Sequence, residues 1–382
     1  MAEAPSIDEE APRLEAALRR SLGADGFLAD VVECVASDLE NPNAVQPWAA
    51  FDCHFYRSTA ATAALRSLLR CRVPGTSDTF DGVLAAIARG SRPGKGPNFC
   101  YLIGGQVRDV LRGKLSIDID FNYSCDAQEV ALTTVAHRWP TKYKCIGEGV
   151  SPNYVLIGDE GSSCYLEGFC ITFNATKSCF NNDLTMNTLL YDLTNDVIID
   201  KTGRGVADIR AHALRISVAE GETLDAWSKA CITQGGEELR YLKFYLRSIA
   251  MGEPYSYDDV ECAHVVASLR EALRDNAGAL GSFWLGYTLK AQLQDAQGLA
   301  LLRAWVNQHG GPTWWDEQWE PLVRKCAAPT ALVDSDGSGL RAVATSAQRG
   351  RLAEQRSQKR FGLTSCFCCS QLVEPKPGPV RV

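Results

Sequence analysis

Tyr101-Leu-Ile-Gly-Gly-Gln-Val-Arg-Asp-Val-Leu-Arg-Gly-Lys-Leu-Ser-Ile-Asp-Ile-Asp-Phe121 reads as an apolar strand, a Gly-Gly turn, a short helix and a second strand. A strand that runs through Gly104-Gly105 into a helix presents backbone N–H groups and a helix N-terminus to a phosphate, with no side chain in the way. In the second strand Asp118 and Asp120 are two apart, so the period of an extended chain projects both from one face. Carboxylates paired in this way suit a divalent cation such as Mg²⁺, although an isolated Asp-x-Asp is more often a solvated edge or turn.

Outward from this stretch, Tyr154 to Ile157, Cys164 to Phe173 and Asn187 to Ile199 also read as strands, and Asp126 to Arg138 as a helix. Residues 7 to 40 carry helix signals, with Ser6 before an acidic first turn, and Ala60 to Leu69 and Phe80 to Ala88 continue the helical pattern. Gly90-Ser-Arg-Pro-Gly-Lys-Gly-Pro97 is a breaker-rich boundary. After Ile216 the 3.6-residue period returns in Glu237 to Ile249, Asp258 to Arg274 and Thr288 to Gln308. The expected architecture is α+β: an N-terminal helical extension (1–95), a head with a mixed sheet and helices (96–216), an all-α neck and body (217–330), and a disordered basic tail containing cysteines (331–382).

Composition narrows the function classes. With 46% hydrophobic and 22% charged residues the chain is a globular one, and no apolar run approaches the length of a membrane span. The acidic opening lacks the features of a secretory or mitochondrial leader, so a cytoplasmic or nuclear address is the default expectation. Fifteen cysteines without ligand spacing are expected to be reduced thiols. A net charge of −7 argues against coating nucleic acid through the overall field, so any RNA contact must be local. Trp314, Trp315 and Trp319 read as a buried helix face rather than a base-stacking platform.

The central stretch resembles motif A of the class II tRNA nucleotidyltransferases (CCA-adding enzymes) and bacterial poly(A) polymerases. The pattern is matched at Gly104, Gly105, Val107, Arg108, Asp109, Leu111, Gly113, Asp118 and Asp120. Downstream, Asn181-Asn-Asp-Leu-Thr-Met-Asn-Thr-Leu and Asp200-Lys-Thr-Gly-Arg-Gly-Val-Ala-Asp208 resemble motif B, with Asn181 and Asn182 standing where the family has two arginines. Tyr165 to Phe173 resembles the strand that carries a third carboxylate, here Glu167, and Glu237-Glu-Leu-Arg240 resembles the helix whose acid and arginine read the incoming base.

The resemblance implies a template-independent transfer of nucleotides from ATP, and from CTP, to an RNA 3′ end. The tRNA CCA terminus is the leading acceptor, and poly(A) or oligonucleotide tailing and a weakened RNA- or protein-binding descendant are the alternatives. It implies two Mg²⁺ ions on Asp118, Asp120 and Glu167, and nucleotide contacts from Gly104, Gly105, Arg108, Asp109, Asp183, Asn187, Glu237 and Arg240. The stretch between Glu167 and Asn181 is shorter than the family's usual loop, a feature that favours tailing over CCA addition.

Overall fold

A computed structural model describes residues 4–39, 53–73, 77–89, 100–117, 119–123, 154–157, 166–170, 184–218, 223–225, 237–275, 285 and 288–327. The expected helix at 126–138 and the tail beyond 331 lie outside these residues, as do Asp118 and Asp183 and the side chains of Glu167 and Glu237.

Eight strands form one mixed sheet: β1 (Val32–Cys34), β2 (His54–Arg57), β3 (Cys100–Ile103), β4 (Ile119–Tyr123), β5 (Tyr154–Ile157), β6 (Leu166–Cys170), β7 (Leu189–Asp192) and β8 (Val197–Asp200). Their spatial order is β1-β2-β8-β7-β3-β4-β6-β5, and only β4 and β6 run parallel. The expected single strand from Asn187 to Ile199 is a 3₁₀ turn (Thr185–Asn187) followed by the β7–β8 hairpin. The hairpin turns at Asp196, whose φ of 55° is the left-handed conformation that aspartate tolerates better than most residues. All residues of both hairpin strands are buried. Leu189, Tyr191 and Ile198 join the main core, and Leu190, Val197 and Ile199 join a smaller cluster on the other face with Phe55 and Tyr101.

The region before residue 95 is more than a helical extension. β2 pairs antiparallel with β8, and β1 pairs with β2, so this segment completes the head's own sheet. Strands of three and four residues with mixed polarity carry too short a pattern to be read without their partners. Helices α1 (Ile7–Arg20), α2 (Thr59–Leu69) and α3 (Phe80–Arg89) accompany them. Ser6 caps α1 by accepting from the Glu9 N–H, and Ser58 caps α2 by accepting from that of Ala61. Ile7, Leu14, Leu18, Leu65, Leu68 and Phe80 are buried in the same cluster as Leu102 and Phe121 of the central strands.

Short helices α4 (Gly105–Val110) and α5 (Gly205–Arg210) follow strands β3 and β8. The helical part comprises α6 (Glu237–Ala250), α7 (Asp259–Asp275), α8 (Lys290–Gln294) and α9 (Ala296–Gly310). The pattern read as one helix from Thr288 to Gln308 is thus two, because Asp295 is extended and caps α9 through the Gly298 N–H at 2.7 Å. A last segment runs from α10 (Pro312–Trp314) through a π-helical turn (Trp315–Trp319) into α11 (Glu320–Ala327). Trp314, Trp315 and Trp319 are all buried, as their spacing predicts. Two-residue strands β9 (Ala213–Leu214) and β10 (Ser256–Tyr257) pair parallel and tie the chain after α6 to the chain after α5. No described helix is long and apolar enough to cross a membrane.

Leu65 is fully buried where α2 meets the shared core, so Leu65→Ala will lower the unfolding free energy by about 2–5 kcal/mol. Urea unfolding followed by tryptophan fluorescence and by far-UV circular dichroism should give one shifted transition. An N-terminal segment that folded as a separate appendage would instead leave the tryptophan-reported midpoint unmoved.

Candidate active site

The chain leaves β3 at Gly104 with φ 67° and ψ −135°, a conformation essentially reserved for glycine. A Cβ at this position would also stand 3.3 Å from Oδ2 of Asp120, so the missing side chain lets the carboxylate settle against the turn. Asp120 reaches it because β3 and β4 pair antiparallel, with Leu102 opposite Phe121. On its other side β4 pairs parallel with β6, and Asp120 and Glu167 are direct register partners. Neighbouring strands lie ~4.8 Å apart, so two acidic positions meet beside the Gly-Gly turn. Asp118 lies just before β4, outside the described residues. Among the described residues no group of three or more His, Cys, Asp and Glu stands ready to hold a metal ion. The Asp120–Glu167 pairing is nevertheless the donor chemistry that a hard divalent cation takes.

Arg108 is held far more tightly than a free triphosphate ligand would be. Its side chain is 9% exposed, Nε donates to Asp109 Oδ1 at 2.7 Å, and Nη1 donates to Asn187 Oδ1 at 2.6 Å. Its guanidinium also lies 4.7 Å from the centre of the Phe244 ring on α6. Motif A, the 3₁₀ turn of motif B and the first helix of the helical part thus converge on one cation. Phe244 was legible in the sequence only as an apolar helix position. The signal for its role is spacing: it follows Arg240 by four residues and Glu237 by seven, which places all three on one face of α6. Arg240 is exposed on that face.

The remaining motif B residues brace this arrangement. Asp200 accepts from the backbone and hydroxyl of Thr202 and, at 2.9 Å, from the Val206 N–H, so it closes the loop and starts α5. Asp208 accepts from the Thr185 hydroxyl at 2.6 Å and thereby locks α5 to the 3₁₀ turn that carries Asn187. A Cβ on Gly205 would stand 2.7 Å from the Thr185 carbonyl oxygen, so only glycine allows this approach. Burial pushes the carboxyl of Asp208 above its ordinary range, with the Thr185 hydrogen bond opposing the shift. Asp200, Gly205 and Asp208 therefore act as scaffold, and Asn187 is the part of motif B that they aim at the site.

Residues 100–215 match the family model described as the poly A polymerase head domain. No curated protein matches the chain. Among solved structures, the chain is similar to the Thermotoga maritima CCA-adding enzyme complexed with tRNA, at 18% identity and a TM-score of 0.43 over 56% of this chain and 48% of that one. A CCA-adding enzyme complexed with ATP (17% identity, TM-score 0.44) is covered to the same 48%, so the chain spans about half the length of these structures. A tRNA nucleotidyltransferase complexed with a primer tRNA and an ATP analogue is 19% identical, with a TM-score of 0.43 over 60% of this chain and 63% of that one.

Two measurements check the geometry without substrate. Gly104→Ala will cost about 1–3 kcal/mol, the penalty of a side chain in this conformation, and an unchanged urea midpoint would contradict the turn. Asp208 contributes stability that is complete below its ordinary pKa of 3.8 and is lost as pH rises through its raised folded value. The unfolding free energy of the native protein should therefore fall relative to that of Asp208→Asn across this acid range. Parallel pH curves for the two proteins would mean that the carboxyl is not destabilised by burial.

Proposed function

We propose that this protein is a template-independent nucleotidyltransferase that adds nucleotides from nucleoside triphosphates to the 3′ end of an RNA, with a tRNA terminus as the leading acceptor. The observation that carries this reading is the seat of the Asp120 carboxylate against the Gly104 turn, with Glu167 as its register partner. Acidic positions next to a turn that exposes backbone N–H groups bring cation-binding and phosphate-binding chemistry to one place. The head-domain family match over residues 100–215 supports the same reaction class.

In this reading Asp118, Asp120 and Glu167 hold Mg²⁺, which when bound supplies charge neutralisation and Lewis acidity for phosphoryl transfer. The N–H groups at Gly104 and Gly105 receive the triphosphate. Arg108 and Asp109 keep that turn in shape and contribute positive potential close to it, with Asn187 as the fastening point. Asn187 and Asp183 line the sugar side, and Glu237 and Arg240 meet the base edge from α6. The acceptor's 3′ oxygen bonds to the α-phosphorus as pyrophosphate departs, and orientation with charge stabilisation accounts for most of the acceleration.

Primer extension with purified protein, Mg²⁺ and labelled triphosphates, on a tRNA transcript lacking its CCA end, is the direct test. Asp120→Ala should lower incorporation by about a thousandfold, which corresponds to the several kcal/mol that metal-assisted charge stabilisation supplies. Two C and one A would establish CCA addition. Extension with A alone would favour tailing, the second reading, which the fourteen-residue step from Glu167 to Asn181 supports. A folded protein that incorporates nothing on this or a generic RNA would leave the binding descendant as the correct description.

A further inference from the structure

At the far end of α4 from the Gly104 turn lies a second feature, which borders the proposed nucleotide site at Arg108 and Asp109 and whose remaining residues the proposed reaction does not use. A groove between α4, the turn after α5 and the last turns of α6 is lined by Arg108, Arg112, Lys114, His212, Arg247 and Glu253. Arg108 is offset by Asp109. Arg112 and Lys114 share one carboxylate, that of Glu253, at 3.9 and 3.6 Å, and Arg247 is exposed with no ion-pair partner among the described residues. Burial lowers the pKa of His212, which favours its uncharged form. Three cations against one half-exposed carboxylate leave a net charge of about +2, in a chain of net charge −7.

The groove is built rather than incidental. Arg112 is held by a hydrogen bond from Nη1 to the Ile209 carbonyl at 3.2 Å. His212 has a left-handed φ of 52°, donates from Nε2 to the Glu253 carbonyl at 2.6 Å, and stacks on Tyr255 with ring centres 4.2 Å apart. These contacts fix the wall that carries Glu253 against the cations. Seven residues of helix and turn separate Gly105 from Arg112, about 10 Å at the rise of an α-helix.

We propose that this groove binds the phosphodiester backbone of the single-stranded 3′ end of the RNA acceptor, upstream of the reacting nucleotide, with Arg112, Lys114 and Arg247 as its cations. The inference rests on the RNA nucleotidyltransferase reading. Free triphosphate is the competing source of phosphate, and the carboxylate of Glu253 is the groove's built-in competitor.

The test is fluorescence-anisotropy binding of a labelled single-stranded RNA to the full chain, without nucleotide, across a salt series, with KM for ATP measured in parallel. Lys114→Ala plus Arg247→Ala should weaken RNA binding about tenfold or more and flatten the slope of log K against log salt by about 1.4, two phosphate contacts at the single-strand value. KM for ATP should stay unchanged. Glu253→Gln should act in the opposite direction and tighten RNA severalfold, a gain that a merely destabilised variant cannot produce. RNA affinity and salt slope unchanged in all variants would overturn the proposal, as would a native protein that binds no RNA. A raised KM for ATP with unaltered RNA binding would reassign the groove to triphosphate. Because binding is read without turnover, a protein that shows these shifts yet incorporates no nucleotide would refute the catalytic reading and leave the groove standing.

Discussion

The guanidinium of Arg108 is the interaction on which the site depends, because it is nearly buried and has partners from three separate parts of the chain. A buried cation is costly unless its donors are matched, and a charge-assisted hydrogen bond contributes about 1.5–3 kcal/mol where a neutral one contributes about 1. The carboxylate of Asp109 supplies the countercharge from the next residue on the same short helix, and Asn187 supplies an oxygen from the turn before β7. Phe244 adds an aromatic face from α6. Once these are in place the Gly104 turn cannot shift relative to α6 without unpairing a desolvated charge. The helix that follows the head is thereby registered to the Gly104 turn.

That clasp works only if Asn187 is held in place, and the residues from Asp200 to Asp208 hold it. Asp200 spends its carboxylate on the Thr202 and Val206 groups, Asp208 fastens the Thr185 hydroxyl, and Gly205 lets α5 come within contact of the Thr185 carbonyl. Beneath them the β7–β8 hairpin is buried on both faces, and it is pinned to α2 by Arg66, which reaches the Leu193 carbonyl and the Asp196 carboxylate. The N-terminal segment therefore supports the site at two removes: it covers the hairpin, the hairpin carries the 3₁₀ turn, and the turn presents Asn187.

Charge is distributed unevenly in the same design. An acidic chain repels nucleic acid at long range, so under the proposed reading any RNA contact is short-ranged and confined to places where fixed cations outnumber carboxylates. The junction between α4 and α6 is such a place, and the Arg108 clasp sets the distance between the two helices that form it.

Much of the site was legible in the linear order of residues, since local geometry dictates it. A strand entering Gly-Gly needs a left-handed turn, residues two apart in a strand share a face, and residues three, four and seven apart in a helix do the same. Gly104, Asp120, the β4 and β6 strands and α6 follow from those periods alone, as does the burial of Trp315 and Trp319. The pairing of Asp120 with Glu167 is a matter of strand register across nearly fifty residues, which no local rule carries. Nor could spacing tell that Arg108 is clasped by Asn187 and Phe244, or that Asp208 braces a turn twenty-three residues earlier. The membership of β1 and β2 in the sheet was equally out of reach, because segments of three and four residues have no periodicity of their own and become strands only against β8. The amino-acid order was sufficient to nominate candidate groups for the site; which of the described ones touch was settled by packing, where burial makes each unpaired polar group too costly to leave unmatched.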